Sequence, residues 1–141
     1  MFRRNNQDTD LWVMNPSDPK TDHILTRLTG GGWEPQDWSP DDKKILLMEG
    51  ISVNETYLWL VDTWTGEKTE LTPRKTETQA AYGSARFSKD GKAVYVTTDK
   101  DSEFQRLAHI DFATGKMKVA TTDLSWDVDE FQQSWDSKWI A

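Results

Sequence analysis

Residues 38–47 read WSPDDKKILL, and closely related stretches occur twice more in the chain. The second copy, FSKDGKAVYV, occupies residues 87–96, and the third, QSWDSKWIA, occupies residues 133–141. The serines of successive copies lie 49 and 46 residues apart. Self-similarity at a fixed period of this size is typical of propellers and other repeat arrays. The repeat therefore decides the fold prediction.

Each copy is interpreted as an incoming strand, a tight polar turn and an outgoing strand. Ser and Asp side chains bond nearby backbone N–H groups in turns, and Gly91 tolerates positive φ. The runs that follow are rich in β-prone residues. The repeated positions are thus predicted to be turn formers rather than a carboxylate array or a set of nucleophiles: Ser39, Ser88, Ser134, Asp41, Asp90 and Asp136.

A second pattern recurs with the same period. YLWLVD at 57–62 precedes TWTGEK, and RLAHID at 106–111 precedes FATGKM, again 49 residues later. DLWVMN at 10–15 is an earlier copy. Each copy predicts a strand, a turn and a further strand. Two such patterns per period give four strands, which is the content of one propeller blade.

The predicted fold class is all-β, a partial β-propeller of four-stranded antiparallel blades in a single domain over residues 1–141. It comprises a half blade at 10–29, complete blades at 33–72 and 81–122, and a truncated half blade at 128–141. Residues 1–9 are expected to be a loop, and 123–133 are a weaker candidate for a helical turn than for a strand. The predicted strands of the complete blades lie near 33–38, 44–49, 56–62, 67–71, 82–87, 93–98, 104–111 and 117–121.

Composition limits the functional classes. The chain has 141 residues, eight of them Trp, which supply core material despite a charged fraction of 29%. A formal net charge of −7 argues against binding a nucleic-acid backbone. The absence of Cys excludes disulfides and thiolate metal sites. No apolar run is long enough for a membrane span or resembles a signal peptide, and the compartment stays open.

Two complete and two half blades do not close a ring, because propellers need about four to eight blades. The chain also stops inside a predicted strand, so we expect a fragment that lacks further blades. Exposed blade edges favour self-association. One hypothesis pairs the N-terminal half blade of one chain with the C-terminal half blade of another, which gives a closed ring of about six blades.

The two patterns together resemble the propeller repeats of the TolB-like superfamily. Longer strings are similar to the propeller of prolyl oligopeptidase-type (S9) serine peptidases: GGWEPQDWSPDD at 31–42, YLWLVD at 57–62, YGSARFSKDG at 82–91 and SEFQRL at 102–107. The resemblance runs from about residue 10 to the end. It implies a parent peptidase with a C-terminal α/β-hydrolase domain and a Ser-Asp-His triad, in which the propeller filters peptide substrates.

None of those catalytic residues can be assigned here. The hydrolase domain is absent from this chain, and no Gly-x-Ser-x-Gly nucleophile elbow occurs. The nearest string, GISVN at 50–54, lacks the second glycine and the strand-to-helix setting. We therefore predict no catalytic residue, cofactor or metal site in the chain.

Other candidates have simpler structural interpretations. His23 and His109 are the only histidines, and both fall in predicted strands of different blades. Asp99, Asp101 and Glu103 alternate like the start of a calcium loop, but the glycine and glutamate that such a loop requires are missing. A solvated hairpin tip is the favoured interpretation. Asn54 begins a glycosylation acceptor, which matters only in a eukaryotic secretory route.

Tryptophans can stack sugars or peptides. Trp38 and Trp59 occupy repeat positions and are predicted to lie in the core, whereas Trp33 and Trp64 lie at a strand start and in a turn.

Three functions remain open. The first is a non-catalytic portion of an S9-type propeller that gates or contacts peptide substrate, itself inactive. The second is a TolB-like module that binds protein partners without enzyme activity. A propeller-based carbohydrate-active enzyme is weaker, because it needs clustered histidines or carboxylates. A Gly-x-Ser-x-Gly segment downstream of Ala141 would favour the first, and a stop after a few more blades the second.

Overall fold

The computed structural model describes residues 2–3, 5–74 and 79–141. These residues form eleven β-strands and no helix. The strands are β1 (Phe2–Arg3), β2 (Thr9–Asn15), β3 (Asp18–Arg27), β4 (Trp33–Trp38), β5 (Lys44–Ser52), β6 (Glu55–Asp62), β7 (Lys68–Glu70), β8 (Tyr82–Phe87), β9 (Ala93–Thr98), β10 (Arg106–Asp111) and β11 (Met117–Val119).

The strands form three antiparallel sheets, each a meander in chain order. Strands β1–β3 make a three-stranded sheet, and strands β4–β7 and β8–β11 each make a four-stranded sheet. The two four-stranded sheets share one pairing pattern: Lys44 lies opposite Asp62 in the first, and Ala93 lies opposite Asp111 in the second. The predicted fold class, an all-β partial propeller, is confirmed.

Strand β5 shows how the sheets stack. Ile45 and Leu47 belong to the apolar cluster shared with the first sheet, whereas Leu46 belongs to the cluster shared with the third sheet. All three side chains are buried because alternate residues of a strand point to opposite faces, and both faces are covered. The middle sheet therefore has two cores, one on each side.

Hydrogen bonds join each sheet to the segment that follows it at one repeated position. This position lies near the start of the third strand of a blade, which is β2 in the first sheet, β6 in the second and β10 in the third. Gly30 N–H donates to Asp8 Oδ1 at 2.9 Å, and Tyr82 N–H donates to Thr56 Oγ1 at 2.5 Å. At the third junction Val128 N–H donates to the Gln105 carbonyl at 3.0 Å. These junctions fix the start of each new blade against its predecessor.

Three features differ from the sequence prediction. Residues 2–3, predicted as loop, pair with Thr9 and Asp10 and add a third strand to the first sheet. Residues 128–132, predicted to open a blade, form neither a strand nor a helix. In the last repeat a single bridge joins Gln133 and Ile140 in place of a strand pair. An isolated two-stranded hairpin is only marginally stable, and this hairpin pairs with no further described strand.

Candidate functional site

The serine of each repeat is a turn residue. Ser39 Oγ accepts a hydrogen bond from Lys44 N–H at 2.8 Å and donates to Asp41 Oδ1 at 2.8 Å. Ser88 and Asp90 form the same arrangement, with a 2.6 Å contact, as do Ser134 and Asp136, with a 2.7 Å contact. These hydroxyls are committed to backbone and turn geometry, as predicted.

One residue of each turn adopts positive φ: Asp42 at 59°, Gly91 at 70° and Ser137 at 62°. This is the left-handed region, which glycine adopts without strain and Asp or Ser only at some cost. The middle repeat therefore has the most relaxed of the three turns.

The turn carboxylates are held ionised. The Ser88 hydroxyl, followed by the Lys92 N–H, lowers the pKa of Asp90 below its ordinary value. The corresponding serine and lysine groups lower the pKa of Asp41 and of Asp136. A general acid needs the opposite shift, because it must hold its proton near neutral pH. These carboxylates are thus suited to turn formation and unsuited to proton donation.

The second repeated turn is built in the same way. Asp62 Oδ1 accepts from Trp64 N–H and Thr65 N–H, both at 2.9 Å. Asp111 Oδ1 accepts from the N–H and the hydroxyl of Thr114, both at 2.8 Å. The predicted Thr-Gly turns are thus present in both complete blades.

The two histidines are not brought together. His23 lies exposed on β3, where its Nδ1 is 2.9 Å from the Thr21 carbonyl. His109 lies on β10, and its ring is 6.0 Å from that of Tyr95. The middle blade separates the two sheets, so the histidines cannot share a ligand or a substrate atom.

The segment from Asp99 to Glu103 is a turn. Asp99 Oδ1 accepts from Ala81 N–H at 2.7 Å, its carbonyl accepts from Ser102 N–H, and Asp101 has a φ of 59°. Over residues 5–74 and 79–141, no group of three or more His, Asp or Glu side chains is placed to hold a metal ion. Residues 50–54 span the hairpin between β5 and β6.

The burial of the tryptophans differs in part from the prediction. Trp33 is buried, and its Nε1 donates to the Thr29 carbonyl at 2.9 Å. Trp59 is half-buried and donates to Glu49 Oε2 at 2.9 Å. Trp64 is exposed. Trp38 was predicted in the core but is 49% exposed, whereas its counterpart Phe87 is 4% exposed.

The exposure of Trp38 has a physical cause. Phe87 belongs to the apolar cluster that includes Leu46, on the second strand of the preceding blade. In the described part of the chain the first sheet has no residue at the position that corresponds to Leu46, because β1 pairs only with Thr9 and Asp10. The repeat position is a core position only where the preceding blade is complete.

The remaining candidate is the inner face, defined here as the side on which edge strands β4 and β8 lie next to each other. Phe87 N–H donates to Asp37 Oδ2 at 2.9 Å, and the Arg86 guanidinium donates to the Gln36 carbonyl at 2.9 Å. Both bonds run from β8 to β4. They hold two edge strands side by side at the face that surrounds the axis of a propeller.

Two grooves run along the inner face. A groove of about 210 Å³ is lined by Asp37, Arg86 and Gln132, among others. A second, of about 320 Å³, is lined by Arg86 together with Glu34 and Glu130. Carboxylates outnumber basic groups in the second groove, so its surface favours cationic ligand groups. Sequence reasoning missed these residues because they lie at the least repetitive positions of the blade.

The part of the chain that the structure describes contains no candidate membrane-spanning helix. No family model matches the chain, and no curated protein matches it. Several solved structures do. TolB from Acinetobacter baumannii aligns with a TM-score of 0.67 and 25% identity, over 86% of this chain and 28% of that chain.

The second similar structure is a mutant of puromycin hydrolase complexed with PGG. It aligns with a TM-score of 0.56 and 20% identity, over 72% of this chain and 16% of that chain. This chain thus spans less than a third of either protein. The resemblance to TolB-like and S9 peptidase propellers, predicted from the repeats, is confirmed at the level of the fold.

Proposed function

We propose that this chain is a non-catalytic part of the propeller of a prolyl oligopeptidase-type serine peptidase. In the whole protein it contacts peptide substrate and limits access to a separate hydrolase domain. The strings at 31–42 and 82–91 support the assignment, as does the structural similarity to puromycin hydrolase. The alignment covers 16% of that protein, which is consistent with a role as one portion of a larger protein.

The observation that carries the proposal is the inner face. No strand of their own sheets pairs with the outer edges of β4 and β8, although the Gln36 carbonyl and the Phe87 N–H of these edges already bond side chains across the face, which leaves the remaining edge groups for a ligand. An extended peptide can bind such an edge through its main chain, while side-chain grooves select its residues. Glu34 and Glu130 would then favour a peptide with a positive charge at the adjoining position.

The first test is for activity. The purified chain is expected to show no peptide or ester hydrolysis, because it contains no Gly-x-Ser-x-Gly nucleophile elbow and its repeated serines are committed to turns. Hydrolysis that disappears on substitution of any one serine would contradict the proposal.

The second test is for binding. Fluorescence anisotropy with a dye-labelled basic peptide is expected to show binding that weakens in the double variant Glu34→Gln, Glu130→Gln. The matched control is Glu67→Gln, Asp123→Asn, which removes the same charge from exposed positions away from the inner face. Equal weakening in both double variants would show that net charge, and not the inner face, attracts the peptide.

A TolB-like module that binds protein partners and has no enzyme domain is the second candidate. The similarity to TolB favours it, because that alignment is longer and has the higher TM-score. The reading frame after Ala141 separates the two candidates. A Gly-x-Ser-x-Gly segment a few hundred residues on supports the peptidase, and a stop after a few further blades supports the binding module.

A further inference from the structure

A groove on the third sheet collects positive charge, although the chain as a whole has a formal net charge of −7. The groove has a volume of about 500 Å³ and lies beside β11, the strand farthest from the inner face. Lys100, Arg106 and Lys116 line it, and Asp101 is the one carboxylate among the described residues that do so. It is referred to below as the cationic groove.

The charge of this groove is not neutralised within the described part of the chain, where none of the three cations forms an ion pair. The half-buried Arg106 guanidinium donates to the Ser102 hydroxyl at 3.2 Å and to the Thr121 and Leu124 carbonyls. These neutral acceptors hold the guanidinium in place and leave its charge uncompensated. A fixed, partly desolvated cation favours an anionic ligand.

The blade repeat does not require these cations. At the positions 49 residues earlier, the second sheet has a different set: Ile51, Tyr57 and Glu67. The second sheet also neutralises its own cation, because Arg74 forms ion pairs with Glu49 and Glu70. The uncompensated positive charge is therefore a feature of the third sheet and not of the turn and core chemistry that the two sheets share.

The groove is long enough for an extended ligand. Arg106 begins β10, and Asp111, which ends it, donates its N–H to the Lys116 carbonyl at 3.1 Å. The backbone positions of Arg106 and Lys116 thus lie five strand residues apart, or roughly 16 Å. Several negative groups spaced along an extended chain match this length better than a single phosphate or carboxylate.

Strand β11 offers a free backbone edge beside the groove. Among the described strands, β10 is its only neighbour. Lys116 and Ala120 direct their backbone hydrogen bonds to β10. Because adjacent residues of an edge strand alternate in direction, the backbone groups of Met117 and Val119 point away from β10. Both residues also line the groove, so a peptide paired with this edge can place its side chains there.

We propose that the cationic groove binds an extended acidic segment of a partner protein, which adds to β11 as a further strand. Carboxylates at alternate positions of the segment lie against Lys100, Arg106 and Lys116. A peptide matches the groove better than a nucleic acid, because it can pair with β11 and because a net charge of −7 repels a phosphate chain. The inference is independent of the proposed peptidase role, since this groove and the inner-face grooves share no described residue.

Fluorescence anisotropy with a dye-labelled peptide of alternating Glu and Thr tests the charge match. Binding should weaken about tenfold in the double variant Lys100→Gln, Lys116→Gln, because two contacts between opposite charges are lost. The matched control is Lys20→Gln, Lys43→Gln, which removes the same charge from exposed positions outside the third sheet. Equal weakening in both double variants, or no binding to the wild-type chain, overturns the proposal.

N-methylated peptides test the added strand while the protein stays unchanged. One version of the peptide is methylated at every Glu nitrogen and the other at every Thr nitrogen. In a paired edge strand one of these two sets of N–H groups faces the neighbour and the other faces away. One version should therefore lose binding and the other retain it. Equal affinity of the two versions overturns strand addition, and tighter binding of an oligothymidylate strand overturns the assignment to a peptide.

Discussion

The Ser88 hydroxyl donates a hydrogen bond to the Asp90 carboxylate at 2.6 Å. The same oxygen accepts from Ala93 N–H at 2.9 Å, so it joins the two strands that the turn connects. This one serine therefore satisfies a backbone donor and fixes the carboxylate that completes the turn.

Replacing Ser88 with Ala should lower the free energy of unfolding by about 1 kcal/mol, because the Ala93 N–H loses its acceptor at a largely buried position. Urea denaturation monitored by tryptophan fluorescence measures the change. Ser17→Ala is the control, since Ser17 is exposed and its hydroxyl bonds no turn. Equal effects of the two substitutions would count against the turn interpretation.

Gly66 and Gly115 occupy the same position of the second turn, with φ of 72° and 65°. An added Cβ at Gly66 would lie 2.1 Å from the Leu25 carbonyl of the neighbouring sheet, whereas at Gly115 it would meet nothing within 4 Å. Both Ala substitutions should cost about 1–2 kcal/mol for the backbone conformation. Gly66→Ala should cost more, and equal melting temperatures would show that the first two sheets do not approach there.

Trp33 and Trp38 lie at the two ends of β4 but differ in burial. Trp33→Ala should cost about 3–5 kcal/mol, the usual range for truncating a buried aromatic. Trp38→Ala should cost less than about 1 kcal/mol in the monomer. Guanidinium titration of both variants under dilute conditions measures the difference. A large cost at Trp38 in a monomeric sample would mean that it is buried after all.

Acid should destabilise the chain through its turn carboxylates. The pKa values of Asp41, Asp90 and Asp136 are lowered mainly by serine hydroxyls, and that of Asp62 by backbone N–H groups. A folded pKa below the unfolded one means that the unfolded chain binds more protons, so stability falls as pH falls. The stabilisation is present above the ordinary value of 3.8 and is lost as pH drops through the lowered values.

Urea midpoints measured from neutral pH to below pH 4 should therefore stay level and then decline. Asp90→Asn should make the decline shallower, because one of the responsible carboxyls is gone. Asp22→Asn, at an exposed position on β3, should leave its slope unchanged. A decline that begins near neutral pH would point to other groups.

The periodicity was sufficient to predict the strands of the two four-stranded sheets and both turns. Ser39, Ser88 and Ser134 share one chemistry at one repeat position, so the sequence alone predicts their common geometry. The junctions at Asp8, Thr56 and Gln105 could not be predicted in this way. Three different residue types there accept a hydrogen bond from a backbone N–H group. Hydrogen bonds from a backbone N–H between blades therefore produce no recurring residue type in the sequence.

The wrong prediction for Trp38 has a related cause. Its position in the repeat was correct, but burial at that position depends on the preceding blade, which is incomplete here. Sequence periodicity predicts which positions of a blade are apolar, but it does not show whether a neighbouring blade covers them. The same reasoning explains why the inner face, formed by residues 34–37 and 83–86 from two blades, was not predicted as a site.

The central claim is that residues 33–119 are two separate four-stranded sheets of one repeated design. Cross-strand NMR contacts between backbone protons test it most directly. The account predicts contacts between Leu60 and Thr69 and between Ala108 and Val119, with no ladder joining β7 to β8. A continuous ladder from β4 to β11, or helical contacts across 44–48 or 93–98, would contradict it.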